Sequence, residues 1–143
     1  MVRSGIGLYG YGNEPHIDEQ LQPVMTLKTI IAQKHIIRSG ESVGYNRKYT
    51  SEKDTVTATL PLGHADGIRR EYGHGKTYVS VHGQLAPIIG NVCMDMIMID
   101  VTNIACEEGD EVIIFGKSLP ASEFAETAQT ISYELLTGLS QRI

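Results

Sequence analysis

Residues 55–62, Thr55-Val-Thr-Ala-Thr-Leu-Pro-Leu62, read TVTATLPL and decide the fold class. The run alternates strictly and is rich in β-branched side chains. Such side chains are stiff at χ1 and pack well on a pleated surface. A period of two places one set of side chains on each face, so the stretch is read as a strand. Upstream, Val24 to Ile37 alternates over its length and reads as one long strand. Met25, Leu27, Thr29 and Ile31 share one face, and Thr26, Lys28 and Ile30 the other. Arg38-Ser-Gly40 follows as a turn, and residues 11–22 (YGNEPHIDEQLQ) read as a loop.

Downstream, Thr77–Val81 and Leu85–Ile89 flank His82-Gly-Gln84 and predict a hairpin. Pro87, which lacks an amide proton, places its strand at an edge or bulge. Met96–Val101 and Glu111–Phe115 are further strands, with a turn at Gly109-Asp110. The pattern then changes. Pro120 opens a helical stretch, PASEFAETAQ. Thr130 is placed to cap a second helix, ISYELLTGL, with Gly138 near its end. Roughly six to nine strands without a βαβ rhythm predict a mainly β fold. The expected architecture is a small β-barrel-like domain of antiparallel strands with two short C-terminal helices.

The chain has 143 residues, enough for one domain with a sizeable core. Its 41% hydrophobic and 20% charged content is ordinary for a globular protein, and its net charge of −5 argues against nucleic acid. No apolar run is long enough to span a bilayer. Cys93 and Cys106 are too few for a disulfide scaffold and fit a reduced, cytoplasmic setting. Both ends read as cut, so a piece of a longer polypeptide is expected.

Chemistry is sparse by residue type alone. The five histidines show no i, i+4 pair, so no metal site is expected. Asp95 and Asp100 fall on opposite faces of one strand, which disfavours paired-carboxylate catalysis. Gly5, Gly7 and Gly10 form G-x-G-x-x-G, but no βαβ unit follows. A different stretch raises a sharper question. Only 6% of residues are aromatic, yet ESVGYNRKYT (41–50) holds both Tyr45 and Tyr49 around a basic, turn-forming centre. These phenols either pack or do chemistry. Gly44-Tyr-Asn46, Leu62-Gly-His-Ala-Asp-Gly67 and Gly90-Asn-Val-Cys-Met-Asp95 each combine glycine with a functional side chain at a strand end. Glycine there permits a close backbone approach.

These three segments resemble the C-terminal domain of the alanine racemase family, a pyridoxal-phosphate enzyme. The resemblance starts at Arg3-Ser-Gly-Ile-Gly-Leu-Tyr-Gly10 and ends at Ser132-Tyr-Glu-Leu-Leu136. It implies that residues 1–12 are the remnant of an N-terminal (β/α)8 barrel and that residues 13–143 form the C-terminal β-domain. The barrel would carry the cofactor lysine, so the isolated chain is expected to be inactive. Tyr45 matches the tyrosine that one subunit of the homodimer supplies to its partner's active site, opposite the lysine. Tyr49 would then be packing or turn support. A free phenol titrates near about 10, so such a base needs help from cations expected on the barrel.

By the same resemblance Arg3 hydrogen-bonds the pyridine nitrogen. Gly5 and Ile6 offer backbone amides to the cofactor phosphate, and the Tyr133 hydroxyl also reaches it. Met94 meets the substrate carboxylate through its amide, and Asp95 orients that loop. His64 and Asn91 lie at the site entrance and depart from the family's tyrosine and arginine, which opens the substrate range. The implied activity is interconversion of L- and D-alanine for peptidoglycan synthesis. The competing expectations are a racemase of the same fold acting on serine or a broader set, and a non-catalytic dimerisation β-domain.

Overall fold

A computed structural model describes residues 1, 5–12 and 14–143. A one-turn helix, α1 (Pro15–Asp18), lies inside the stretch read as loop, with the Ile17 and Asp18 amides both donating to Glu14 O. Nine strands follow among the described residues: β1 (Leu27–Ile30), β2 (Gln33–Ile37), β3 (Ser42–Val43), β4 (Tyr49–Thr50), β5 (Thr55–Leu60), β6 (Tyr78–Val81), β7 (Gln84–Ile89), β8 (Ile97–Asp100) and β9 (Glu111–Phe115). Helices α2 (Ala121–Glu126) and α3 (Ser132–Thr137) complete the chain. The fold is mainly β, as its alternating runs predict.

Seven strands form one antiparallel sheet in the order β1-β9-β6-β7-β8-β5-β2. Its two ends, β1 and β2, are separated by only Ile31 and Ala32. A two-residue link is short, so the sheet must curl until the end of β1 lies close to the start of β2, although no ladder joins these two strands among the described residues. The Ile31 amide donates to Asp110 O, on the β9 side, at 2.9 Å. The next amide, of Ala32, donates to Thr59 O in β5, also at 2.9 Å. The single strand predicted over 24–37 is therefore two strands that pair on opposite sides. The predicted faces are kept: Leu27 and Ile31 are buried, while Thr26, Lys28 and Ile30 are exposed. Side-chain alternation reports faces, and it carries no information on which edge a strand pairs.

The predicted hairpin is β6–β7, with Val81 opposite Gln84. Its loop is two residues, His82 (φ 50°) and Gly83 (φ 78°), and positive φ at both positions matches the right-handed strand twist. Ile88 donates its amide to Thr77 O, so Pro87 turns its nitrogen to the other side. On that side the β7–β8 ladder begins only at Ile88, and no donor is needed at Pro87.

The barrel interior holds Leu60, Ile68, Val79, Ile88, Ile97 and Ile114, all fully buried. Phe124 of α2 closes one side, its ring 4.6 Å from Tyr72 and 6.1 Å from Phe115 between centroids. Tyr11 is also buried, and its hydroxyl accepts the Ala121 amide at 3.2 Å at the start of α2. Thr130 does not cap α3. Ile131 occupies the N-cap position, and the Thr130 hydroxyl donates to the Glu134 carboxylate instead.

Strands β3 and β4 form a separate two-stranded arm. Its base is tied by Gly40 N to Ser51 O at 2.7 Å and Ser51 N to Glu41 O at 2.9 Å. The arm lies over a second apolar cluster of Ile37, Val43, Ile89 and Met98, with Tyr49 and Cys93 packed against it. Tyr49 is thus packing, as expected, and the tip of the arm is left to Tyr45.

Candidate functional site

Tyr45 sits in the 3₁₀ turn Tyr45–Arg47 at the end of the arm and is 63% exposed. Gly44 before it has φ 75° and ψ −176°, a conformation open in practice to glycine alone. Asn46 after it has φ 59°, which asparagine tolerates better than most residues. Beneath the turn, Asn91 is 4% exposed, and its side-chain amide donates to Tyr45 O at 2.7 Å. A buried amide with a satisfied bond fixes the backbone, while the phenol projects outward.

Two adjoining cavities meet at this residue. One, of about 380 Å³, is lined by Tyr45, Cys93, Met94, Asp95, Met96 and Met98, together with Gly44. The other, of about 290 Å³, is lined by Tyr45, Asn46, His64, Arg70, Cys93 and Met94, together with Val92. Tyr45, Cys93 and Met94 border both, so they form the ridge between them. Burial pushes the Cys93 thiol above its usual range. Met94 is 55% exposed. Among the described residues its amide proton has no acceptor, while its carbonyl takes the Ala65 amide at 2.9 Å. An unpaired N–H in a half-open cavity is a natural partner for an anion.

The loop carrying His64 is stitched to this ridge. His64 N donates to Cys93 O at 2.9 Å, beside the Ala65–Met94 bond. The contact needs glycine at 63: a Cβ there would lie 2.4 Å from Cys93 O and 2.8 Å from Met94 O. Asp66 is 5% exposed and accepts the Gly63 amide at 2.8 Å through Oδ2. Its Oδ1 lies 3.3 Å from Arg142 Nε, and Arg142 Nη2 lies 2.8 Å from Asp95 Oδ1.

The structure therefore brings Tyr45, Met94, Asn91 and His64 together. Gly5, Ile6 and Tyr133 line neither cavity. Gly5 faces open space, and Ile6 packs partly against the main core. Tyr133 is half-exposed on α3, whose Leu135 and Leu136 are buried and whose Glu134 pairs with Arg69 at 2.6 Å. Arg3 lies outside the described residues. Asp66, Arg70 and Arg142 were not singled out from sequence. Asp66 sits within the G-H-A-D-G motif and was legible in principle; Arg142 joins the site only through long-range contacts.

The sequence profile of the alanine racemase C-terminal domain matches residues 24–143. An alanine racemase of Clostridium kluyveri is 40% identical over 151 aligned positions, which cover 100% of this chain and 38% of that protein. The solved alanine racemase of Acinetobacter baumannii aligns with a TM-score of 0.88 and 37% identity over 96% of this chain and 39% of its own. The alanine racemase of Bartonella henselae, solved with covalently bound pyridoxal phosphate, aligns at 0.87 and 31% identity, over 96% of this chain and 38% of its own. This chain belongs to the alanine racemase C-terminal domain family. It spans about two fifths of the length of the relatives it matches.

Proposed function

We propose that this chain is the C-terminal β-domain of a pyridoxal-phosphate-dependent alanine racemase, following an N-terminal barrel remnant at residues 1–12. In this reading Tyr45 serves the active site of the partner subunit in a homodimer. The observation that carries it is the pinned yet exposed phenol: glycine-hinged, held from below by Asn91, and projecting between two half-open cavities. A tyrosine that served packing alone would bury its ring, as Tyr49 and Tyr72 do in part or wholly.

The residues present suit such a cofactor at a shared surface. Open space at Gly5 lets a phosphate approach backbone amides, and the half-exposed Tyr133 can turn its hydroxyl toward it. Arg3, permanently charged, would donate to the ring nitrogen without protonating it. When bound, pyridoxal phosphate acidifies the α C–H of the attached amino acid. Tyr45 takes or returns that proton at its Oη on one face, opposite the lysine of the barrel. The unpaired Met94 amide binds the α-carboxylate and sets the Cα within reach. His64 and Arg70, lining the second cavity, face the approach of the zwitterionic substrate. D-alanine made in this way would serve peptidoglycan synthesis in the cytoplasm.

The test uses the full-length polypeptide with Tyr45→Phe. Loss of a positioned base costs about 10² to 10⁴ in kcat. Alanine racemisation should fall by that factor while the absorbance of the bound cofactor is unchanged. Unchanged turnover in both directions would remove Tyr45 from the reaction.

A further inference from the structure

We infer that Arg142 is a positioning residue: it locks the Met94–Asp95 loop, and with it the Met94 amide, against the Gly63–Gly67 loop. The inference deepens the proposed function and rests on Met94 as the carboxylate ligand. It starts from Asp66. This carboxylate is almost fully buried, and a buried charge is costly unless it is both paired and hydrogen-bonded. One oxygen takes the Gly63 amide at 2.8 Å; the other faces Arg142 Nε at 3.3 Å. The guanidinium then extends outward, and Nη2 meets Asp95 Oδ1 at 2.8 Å.

Asp95 is exposed and adjoins Met94 inside a turn closed by Cys93 N donating to Met96 O at 3.0 Å, and its side chain pairs with Arg142. Its side-chain tie to the domain runs through Arg142 to an anchored carboxylate. A planar fork of donors can bridge two carboxylates in fixed directions, which a lysine ammonium, as a point charge, does poorly. The bridge runs parallel to the His64–Cys93 and Ala65–Met94 backbone bonds. Together they fix the carbonyl side of Met94, whose amide has no acceptor among the described residues and which borders both cavities. Removing the guanidinium frees Asp95 and leaves Asp66 an unpaired buried charge, so the loop gains freedom where the substrate carboxylate would sit.

The experiment compares Arg142→Met, Arg142→Lys, Asp95→Asn and the Arg142→Met/Asp95→Asn double variant in the full-length racemase polypeptide. Two quantities are read: KM and kcat for alanine, and hydrogen exchange over residues 91–96. R142M should raise KM about tenfold with kcat changed less than about twofold, since ground-state positioning is what it disturbs. D95N should act in the same direction. The double variant should be no worse than R142M, because residues acting through one contact are non-additive. R142K should fall between wild type and R142M, and exchange at 91–96 should speed up in the same order. Unchanged KM and exchange in R142M, or additive effects in the double variant, overturn the inference. If R142M does not fold, unchanged KM and exchange in D95N overturn it, and raised values support it. Should the wild-type polypeptide fail to racemise alanine, the proposed function falls, and exchange at 91–96 alone decides the role of Arg142.

Discussion

Tyr72 and Tyr45 show at the residue scale how position sets the use of one side-chain type. Tyr72 is fully buried against Phe124, and its hydroxyl has no hydrogen-bond partner among the described residues. Burial raises its pKa from 10.0 to about 12. A group whose folded pKa is raised adds stability that is whole below the unfolded value and lost as pH rises through the folded one. Stability should therefore fall between about pH 10 and 12 in the wild type, by up to roughly 3 kcal/mol from this group. Tyr72→Phe removes an unmet donor and should be neutral to stabilising at pH 7, by up to about 1 kcal/mol. Urea unfolding of both proteins at pH 7 and pH 11 checks this: the gap should widen in favour of the variant at high pH. A Tyr72→Phe protein much less stable than wild type at pH 7 would mean that the hydroxyl is satisfied. None of this separates the two tyrosines in sequence. Tyr45 was legible only through the resemblance of its surrounding motif. Its support by Asn91 was not legible, because those residues are 46 apart and meet only after the barrel closes.

Among the elements, the most informative is the close seam between the loop at 63–67 and the ridge at 91–96. Gly63 is extended rather than left-handed (φ −161°), so the demand at this position is space alone. An added Cβ would press on backbone atoms of Cys93, Met94 and Met96, none of which can rotate away. Gly63→Ala should therefore part the two loops and destabilise by about 1 to 3 kcal/mol, the range for overpacking. The His64 and Ala65 amides should lose exchange protection at the same time. Thermal melting with hydrogen exchange measures both; intact protection would show the seam to be looser than its distances imply. Strand existence was readable from alternation, and β5 and β9 lie where the pattern predicts. Strand pairing was not readable. At Ile31-Ala32 the chain changes its pairing edge from β9 to β5, and the alternating burial of β1 gives way to the mostly exposed Gln33–Ile36. The same limit applies to Thr130, whose hydroxyl could accept a helix amide as a cap or donate to a nearby carboxylate, and donates to Glu134 rather than capping α3.

For the whole molecule, the exposed apolar residues Tyr45, Met94, Met96 and Tyr133 need an explanation. Exposed apolar side chains gathered at one ridge, as Tyr45, Met94 and Met96 are, commonly mark an interaction surface. The chain covers about two fifths of its relatives, and under the proposed function these two half-open cavities would be completed by further protein. The central claim is that Tyr45 acts across a subunit interface, and mixed dimers test it most directly. One full-length polypeptide carries Tyr45→Phe; the other lacks the cofactor lysine of its barrel. Each homodimer should be inactive. If the tyrosine serves the partner, each mixed dimer contains one site with both groups intact, and mixing should restore alanine racemisation to about half the wild-type activity per mixed dimer. If the tyrosine serves its own subunit, no site in the mixed dimer has both groups. Persistent inactivity in verified mixed dimers would therefore contradict the claim.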